Sequence, residues 1–380
     1  MYSRIIVASD AFKGSLSSME IAEAVEEGIH RVFPDCQVVK LDVADGGEGT
    51  MQALRKAMGG ETVKIEVADP LRRPVIASYV ILENGTAVLE MAEASGLTLL
   101  RPEERNPMET STFGTGQLVA DALKRGCRSF LIGIGGSATN DAGMGMLEAL
   151  GVRFYDRFGL LLSGKGESLG KVADISMDGI CKGLLESEYT IACDVDAPLF
   201  GPKGAACVFA PQKGADEEMV ELLDKGLEHF SRVIETLLGK DVSTIPGAGA
   251  AGGLGGGLVA FLSARLENGV QMVLDAMDFD CIIRSADLVI TGEGRIDSQT
   301  FCGKTPYGVM LRARKKGIPV IAIGGSVDIA ADEALEAGFK GVFAVTPEDM
   351  SLEEAMQKKT AMKNVSDTVE RIIKKYSGHE

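Results

Sequence analysis

Short apolar runs that alternate with helix-periodic segments constrain this chain more than any other feature. IIVASD (5–10) reads as a buried strand. Ser17-x-x-Glu20 is a capping box, and Ile21, Val25, Ile29 and Phe33 then share one helical face until Pro34. VVKLDVAD (38–45) reads as a second strand, and 46–58 as a helix with Met51, Leu54 and Met58 inward, closed by Gly59-Gly60. Strand, helix, strand, helix predicts a parallel sheet with right-handed crossovers. The same grammar returns late. DLVITGEG (287–294) reads as a strand and a glycine turn, Thr305-Pro306 as an N-cap with proline at the first helical position, and Gly317 as the end of that helix. PVIAIGGS (319–326) and GVFAVTP (341–347) are further strands. Ser351-x-x-Glu354 caps a last helical region with Val365, Val369, Ile372 and Ile373 inward.

The middle of the chain differs. Residues 62–82 and 86–92 read as antiparallel or mixed strands around a proline- and arginine-bearing turn. CRSFLIGIGGSATND (127–141) reads as strand, glycine turn and helix, and YTIACDV (189–195) as another buried strand. The expected fold is therefore α/β with two unlike α/β domains. One is a three-layer, Rossmann-like parallel-sheet domain built from both chain ends, 1–66 and 286–380. The other, 67–285, is inserted, with the active site expected in the cleft between them. A length of 380 residues suits about two to three domains.

Composition removes several function classes. A formal charge of −16 with no basic stripe argues against nucleic acid and anionic membrane as partners. The seven cysteines form no C-x-x-C, and His30, His229 and His379 sit beside no glycine cluster, so zinc and Ser-His-Asp chemistry are not expected. No signal peptide is read at the N-terminus, and the uncharged 242–264 stretch is too weakly apolar to span a bilayer. A cytoplasmic location is expected. Oligomeric state is left open.

Ligands of open parallel sheets collect at strand carboxyl ends. Polar glycine motifs fall at those ends repeatedly: around Asp10 and Lys13, at Asp45–Thr50, at Gly133–Asp141, at Asp194, at Thr291–Asp297 and at Gly324–Ser326. Clustered glycine brings backbone N–H groups close to a phosphate. Gly135, Gly136, Ser137, Thr139 and Asn140 are expected to form such a nest at a helix start, with Asn140 and Asp141 placed for a metal or ribose. PGAGAAGG (246–253) contains G-x-G-x-x-G but follows KDVSTIP instead of a strand. Gly249 and Gly252 are read as another phosphate-facing turn, or else as a close helix-packing surface. Gly303-Lys304-Thr305 lacks the Walker A glycine, since Ser298 stands there, but Lys304 is a phosphate candidate. Phosphoryl transfer needs charge neutralisation, an aligned nucleophile and a carboxylate to take its proton. Asp10, Asp45, Asp194, Glu293 and Asp297 supply carboxylates, and Lys13, Arg295 and Lys304 supply cations. Such an oxygen-donor set suits Mg²⁺.

The ordered strings SDAFKGSLS (9–17), ADGGEGT (44–50), GIGGSATNDAG (133–143), ACDVDAPL (192–199), FAPQKGA (209–215), PGAGAAGGLG (246–255) and VITGEGRIDSQT (289–300) resemble the type I bacterial glycerate kinases. The resemblance implies ATP-dependent phosphorylation of D-glycerate, on the 2-hydroxyl to give 2-phosphoglycerate, with the 3-hydroxyl as the competing site. It implies two unlike α/β domains, and it places Asp10, Lys13, Asp45, Asp194, Glu293, Arg295 and Asp297 inside shared motifs. Ala11 and Ala197 depart from the family's usual Ser and Asn, and Ala142 from its usual Gly.

The roles assigned on this basis start from catalysis, by Asp45 or Asp194 as base and Lys13 as neutralising cation. Asp10 and Arg295 bind substrate, Arg295 through the glycerate carboxylate. Gly135, Gly136, Ser137, Thr139, Asn140, Gly249, Gly252 and Lys304 bind nucleotide phosphates, and Glu293 or Asp297 supports Mg²⁺. The alternatives are a nicotinamide-dependent hydroxy-acid oxidoreductase, resting on 247–252, and a non-catalytic organic-acid-binding protein.

Overall fold

The computed structural model describes residues 2–43, 47 and 49–378. Along the chain run β1 (Arg4–Ser9), β2 (Gln37–Asp42), β3 (Glu61–Ala68), β4 (Pro74–Ile81), β5 (Thr86–Glu90), β6 (Ser129–Gly133) and β7 (Arg153–Tyr155). Then come β8 (Leu161–Leu162), β9 (Asp174–Ser176), β10 (Glu188–Ala192), β11 (Arg265–Glu267), β12 (Leu288–Ile296), β13 (Val320–Val327) and β14 (Gly341–Ala344). Contacts divide the chain into two compact units, Met1–Asp45 with Val273–Glu380, and Gly46–Met272.

The unit made from both chain ends holds a five-stranded sheet in the order β14-β13-β12-β1-β2. Every neighbouring pair in it is parallel. Its central strands β1, β12 and β13 carry continuous buried apolar runs, Ile5–Ala8, Leu288–Ile290 and Val320–Ile323, as burial on both faces requires. Ile5, Val7, Leu288, Ile290, Ile321 and Ile323 form one face. Two helices cover that face through Ile21, Val25, Ile29, Val365, Val369 and Ile373. The first, Ser18–His30, starts at the capping box, which forms in full with Ser17 and Glu20. The helix Thr305–Lys315 packs on β12 and β13 through Val309 and Met310, giving the third layer. Its N-cap is Lys304, so the helix begins one residue earlier than the sequence pattern suggests, with Thr305 and Pro306 both inside it.

One correction matters for the site. The expected turn at Gly292–Gly294 is strand: β12 runs through to Ile296, pairing Glu293 with Gly324 and Arg295 with Ser326. The glycine is there for close approach, because a Cβ on Gly292 would lie 2.4 Å from the Ile323 carbonyl oxygen.

The middle unit holds a six-stranded sheet in the order β11-β10-β6-β5-β4-β3. Four strands are parallel, and the β3–β4 hairpin joins them antiparallel. Asp69 holds the hairpin turn by accepting from the N–H groups of Leu71 and Arg73, both at 2.8 Å. Because β3 pairs with β4 from Glu61 to Ala68, the division of the chain falls before residue 66. It also falls before 285, at Met272–Val273. A small antiparallel sheet, β8-β7-β9, and the long helix Glu217–Leu238 complete this unit.

Candidate active site

Register brings the candidate residues of each unit to the carboxyl edge of its own sheet. In the middle unit Glu90, Gly133, Ala192 and Glu267 stand level on four adjacent parallel strands. The loop after β6 and Cys193-Asp194 after β10 leave from that edge. In the other unit the N–H of Asp10, just past β1, donates to the Gly292 carbonyl oxygen at 2.9 Å. Asp10 therefore sits beside the Glu293–Asp297 end of β12.

The 134–143 loop is built differently from the nest expected of it. Gly135 and Gly136 are exposed, whereas Ser137, Thr139, Asn140 and Asp141 are buried. The following helix, Met144–Ala149, begins three residues after Asp141, so these side chains do not lie at a helix start. Asp141 instead organises the loop. Its Oδ2 accepts from the Thr112 N–H and hydroxyl, both at 2.8 Å, and from the Gly145 N–H at 3.1 Å. Its Oδ1 accepts from the Gly143 N–H at 3.1 Å. Burial pushes the Asp141 carboxyl above the usual range, and these donors pull it back down. Both side-chain atoms of Asn140 and the Thr139 hydroxyl are buried with no hydrogen-bond partner.

Gly249 and Gly252 pack closely. A Cβ on Gly252, where φ is +70°, would lie 2.1 Å from the Thr139 carbonyl oxygen. The Gly252 carbonyl accepts from the Ala142 N–H at 3.0 Å, and the Gly249 N–H donates to the Ala197 carbonyl at 2.9 Å. Of the two expectations for this turn, close packing describes both glycines. Among the described residues the element before it is the helix Glu217–Leu238 and not a strand, so the dinucleotide fingerprint lacks its context. A cavity of about 540 Å³ lined by Glu188, Tyr189, Lys240 and Arg265 opens at the amino ends of β10 and β11, the opposite end of the sheet from these loops.

Asp194 is exposed, and its Oδ1 accepts from the Asn268 amide at 2.7 Å and the Gly269 N–H at 2.9 Å. The other candidate base, Asp45, lies outside the described residues. In the unit made from the chain ends, Glu293 is buried and accepts the Thr300 hydroxyl at 2.6 Å, with the Lys304 ammonium at 3.4 Å. Burial raises the Glu293 pKa, against the pull of Thr300 and Lys304. Asp297 caps the turn Ser298–Cys302, accepting the Gln299 N–H at 2.9 Å. Lys304 lies 4.0 Å from Asp297. Arg295 is exposed, 2.7 Å from Asp328 and 3.6 Å from Asp297. Lys13 is exposed in the loop after β1. The Asp10 carboxylate accepts the Ala11 N–H at 2.7 Å.

Two residues without a role in the sequence reading stand out. Lys213 is fully buried, and its ammonium donates to the Ser137 hydroxyl at 2.7 Å and the Thr139 carbonyl at 2.6 Å. Burial lowers its pKa to about 7, with Asp141 pulling the other way. Glu90 is buried at the end of β5 and accepts the Met51 N–H at 2.9 Å. The available signal was a lysine inside the apolar–proline string FAPQKGA, and an acid ending an otherwise apolar strand.

Comparison with known proteins agrees with this arrangement. The model of the glycerate kinase family matches residues 5–377. A glycerate kinase of Halalkalibacterium halodurans is 48% identical over 93% of this chain and 93% of that protein. A protein of Escherichia coli K12 named glycerate 2-kinase is 45% identical, again over 93% of each. A solved structure from Salmonella typhimurium LT2 bearing the name glycerate kinase 2 superposes with a TM-score of 0.89 at 42% identity, covering 100% of this chain and 99% of that one. Two α/β units whose polar, glycine-bearing loops gather at sheet carboxyl edges thus accompany likeness along nearly the whole length, and the chain belongs to the glycerate kinase family, phosphotransferases with an alcohol group as acceptor.

Proposed function

We propose that the protein transfers the γ-phosphoryl group of Mg²⁺·ATP to the 2-hydroxyl of D-glycerate, giving 2-phosphoglycerate. The observation that carries the reading is that polar, glycine-bearing segments lie at the carboxyl edge of each sheet. One edge presents exposed Gly135-Gly136 backbone and the oriented carboxylate of Asp194. The other gathers Glu293, Asp297, Lys304 and Arg295. Gly135 and Gly136 offer backbone to the phosphates, as glycine loops do. Lys13 neutralises charge on the transferring group or the substrate. Arg295 holds the glycerate carboxylate, exchanging Asp328 for it, and Asp10 lies beside it in the substrate region. Asp194 accepts the hydroxyl proton, with Asp45 as the second candidate. Lys304 contributes positive charge near the phosphates.

The donor chemistry fits a magnesium ion. Glu293, toward the end of β12, and Asp297, just past it, are oxygen donors. Mg²⁺ uses one or two carboxylates and completes its shell with water and substrate phosphates. When bound, it supplies charge neutralisation of the phosphates. We assign the protein to the cytoplasm, with D-glycerate and ATP as its partners. The free thiols of Cys36, Cys127 and Cys193 fit a reducing compartment. No helix among the described residues is long and apolar enough to cross a membrane.

The test is incubation with D-glycerate and Mg²⁺·ATP, followed by phosphorus NMR of the product. The 2-phosphoglycerate resonance is expected. A 3-phosphoglycerate resonance overturns the regiochemistry, and absence of ADP formation overturns the choice of donor.

A further inference from the structure

We propose that Lys213 is a positioning residue for the nucleotide: from the buried side of the 134–143 loop it holds the segment whose outer face, Gly135-Gly136, meets the phosphates. The inference rests on the phosphate reading of those two glycines. It begins with the local structure of FAPQKGA. Pro211 opens a single 3₁₀ turn, Pro211–Lys213, and Gly214 closes it at φ +96°. The Lys213 N–H donates to the Ala210 carbonyl at 2.9 Å, and the Gly214 N–H to the Pro211 carbonyl at 3.0 Å. A Cβ on Gly214 would lie 2.2 Å from the Arg105 carbonyl oxygen, so the turn is clamped against its neighbour. The lysine therefore leaves a rigid base.

Its ammonium then makes two short hydrogen bonds to one three-residue segment, the Ser137 hydroxyl and the Thr139 carbonyl. A lysine is 2% exposed only at a cost that paired hydrogen bonds and a nearby opposite charge must offset. Asp141 is that charge, tied in turn to Thr112, Gly143 and Gly145. The result is a continuous support, from the surface turn 211–213 through the buried ammonium to buried residues 137–141. Exposed Gly135-Gly136 immediately precede Ser137, the first of the two anchored residues, and Leu97 N–H donates to the Gly136 carbonyl at 2.9 Å from the other side. Contacts to a side chain and to a backbone carbonyl two residues apart hold the 137–139 segment at two points.

The experiment compares Lys213→Met and Gly135→Val, with KM for Mg²⁺·ATP, KM for D-glycerate and kcat measured separately. A role in stability alone reduces the active fraction, which lowers apparent kcat and leaves both KM values in place. Positioning predicts a rise of tenfold or more in KM for ATP with Lys213→Met, with KM for glycerate within twofold. Gly135→Val tests the underlying reading. A Cβ there meets only Gly47, at 3.9 Å, so the variant folds while crowding the phosphates. If Gly135→Val raises KM for ATP and Lys213→Met does not, the positioning role is overturned and the phosphate reading stands. If Gly135→Val leaves KM for ATP unchanged, both fall. Should Lys213→Met not accumulate as folded protein, Lys213→Gln, which keeps an N–H donor at shorter reach, is judged by the same KM criteria.

Discussion

Replacing Asp141 by asparagine tests whether the loop is organised by an ionised carboxylate. In the native arrangement one oxygen accepts three donors, from Thr112 N–H, Thr112 hydroxyl and Gly145 N–H, while the other accepts the Gly143 N–H. An asparagine keeps its carbonyl toward the three donors and turns its amide toward Gly143. Two buried donors then face one another, at about 1–3 kcal/mol each. Relief from burying a charge offsets part of this, but Lys213 loses its opposite charge. A net loss of about 2–4 kcal/mol follows, and for a unit of this size the melting temperature falls by roughly 5–15 °C. Scanning calorimetry at pH 6, where Lys213 is still protonated, measures it. Asp141→Ala, which abandons all four donors, is expected to cost more. If Asp141→Asn melts within about 2 °C of the parent, the carboxyl is already neutral in the folded protein. The argument for a charged support beneath the loop is then wrong.

Other expectations concern charge and chemistry. Lys213 titrates near 7 in the folded chain and near 10.5 when unfolded. Between those values the unfolded state binds the extra proton, so stability rises with pH across that window and gains nothing from this group below it. Denaturant midpoints from pH 6 to 9 should show the rise in the parent and lose it in Lys213→Met; a parallel profile in both refutes the assignment. Asp194→Asn is expected to lower kcat by about 10²–10⁴-fold with both KM values nearly constant, read by coupled ADP release. Near-parental turnover removes Asp194 as the base and leaves Asp45. Arg295→Met is expected to raise KM for glycerate by about 10–100-fold, the loss of one charge-assisted hydrogen bond, with KM for ATP unchanged. Equal rises in both constants count against carboxylate binding.

The parallel-sheet strands, the capping box at Ser17 and Glu20 and the inward faces of the terminal helices were legible from residue order. Each depends on periodicity and near-neighbour hydrogen bonds, and those are local. That Asp10, Glu293, Gly135 and Asp194 lie toward strand carboxyl ends was also anticipated, because parallel strands place their exit loops together. What local pattern could not decide was which side of a loop faces the core. Ser137, Thr139 and Asn140 looked like a phosphate nest but are turned inward, since Thr112 and the 250–253 turn, remote in sequence, pack behind them. Gly292 and Gly294 looked like a turn but run as strand, paired along β13, and at Gly292 that neighbour lies close enough to exclude a side chain. Lys213 drew no role because a lysine's meaning depends on whether it is solvated. Sequence alone thus determined the elements and the chemistry within reach of each sheet edge. Tertiary packing decided which polar groups are buried supports and which are exposed, because burial is set by neighbours that the chain brings from far away.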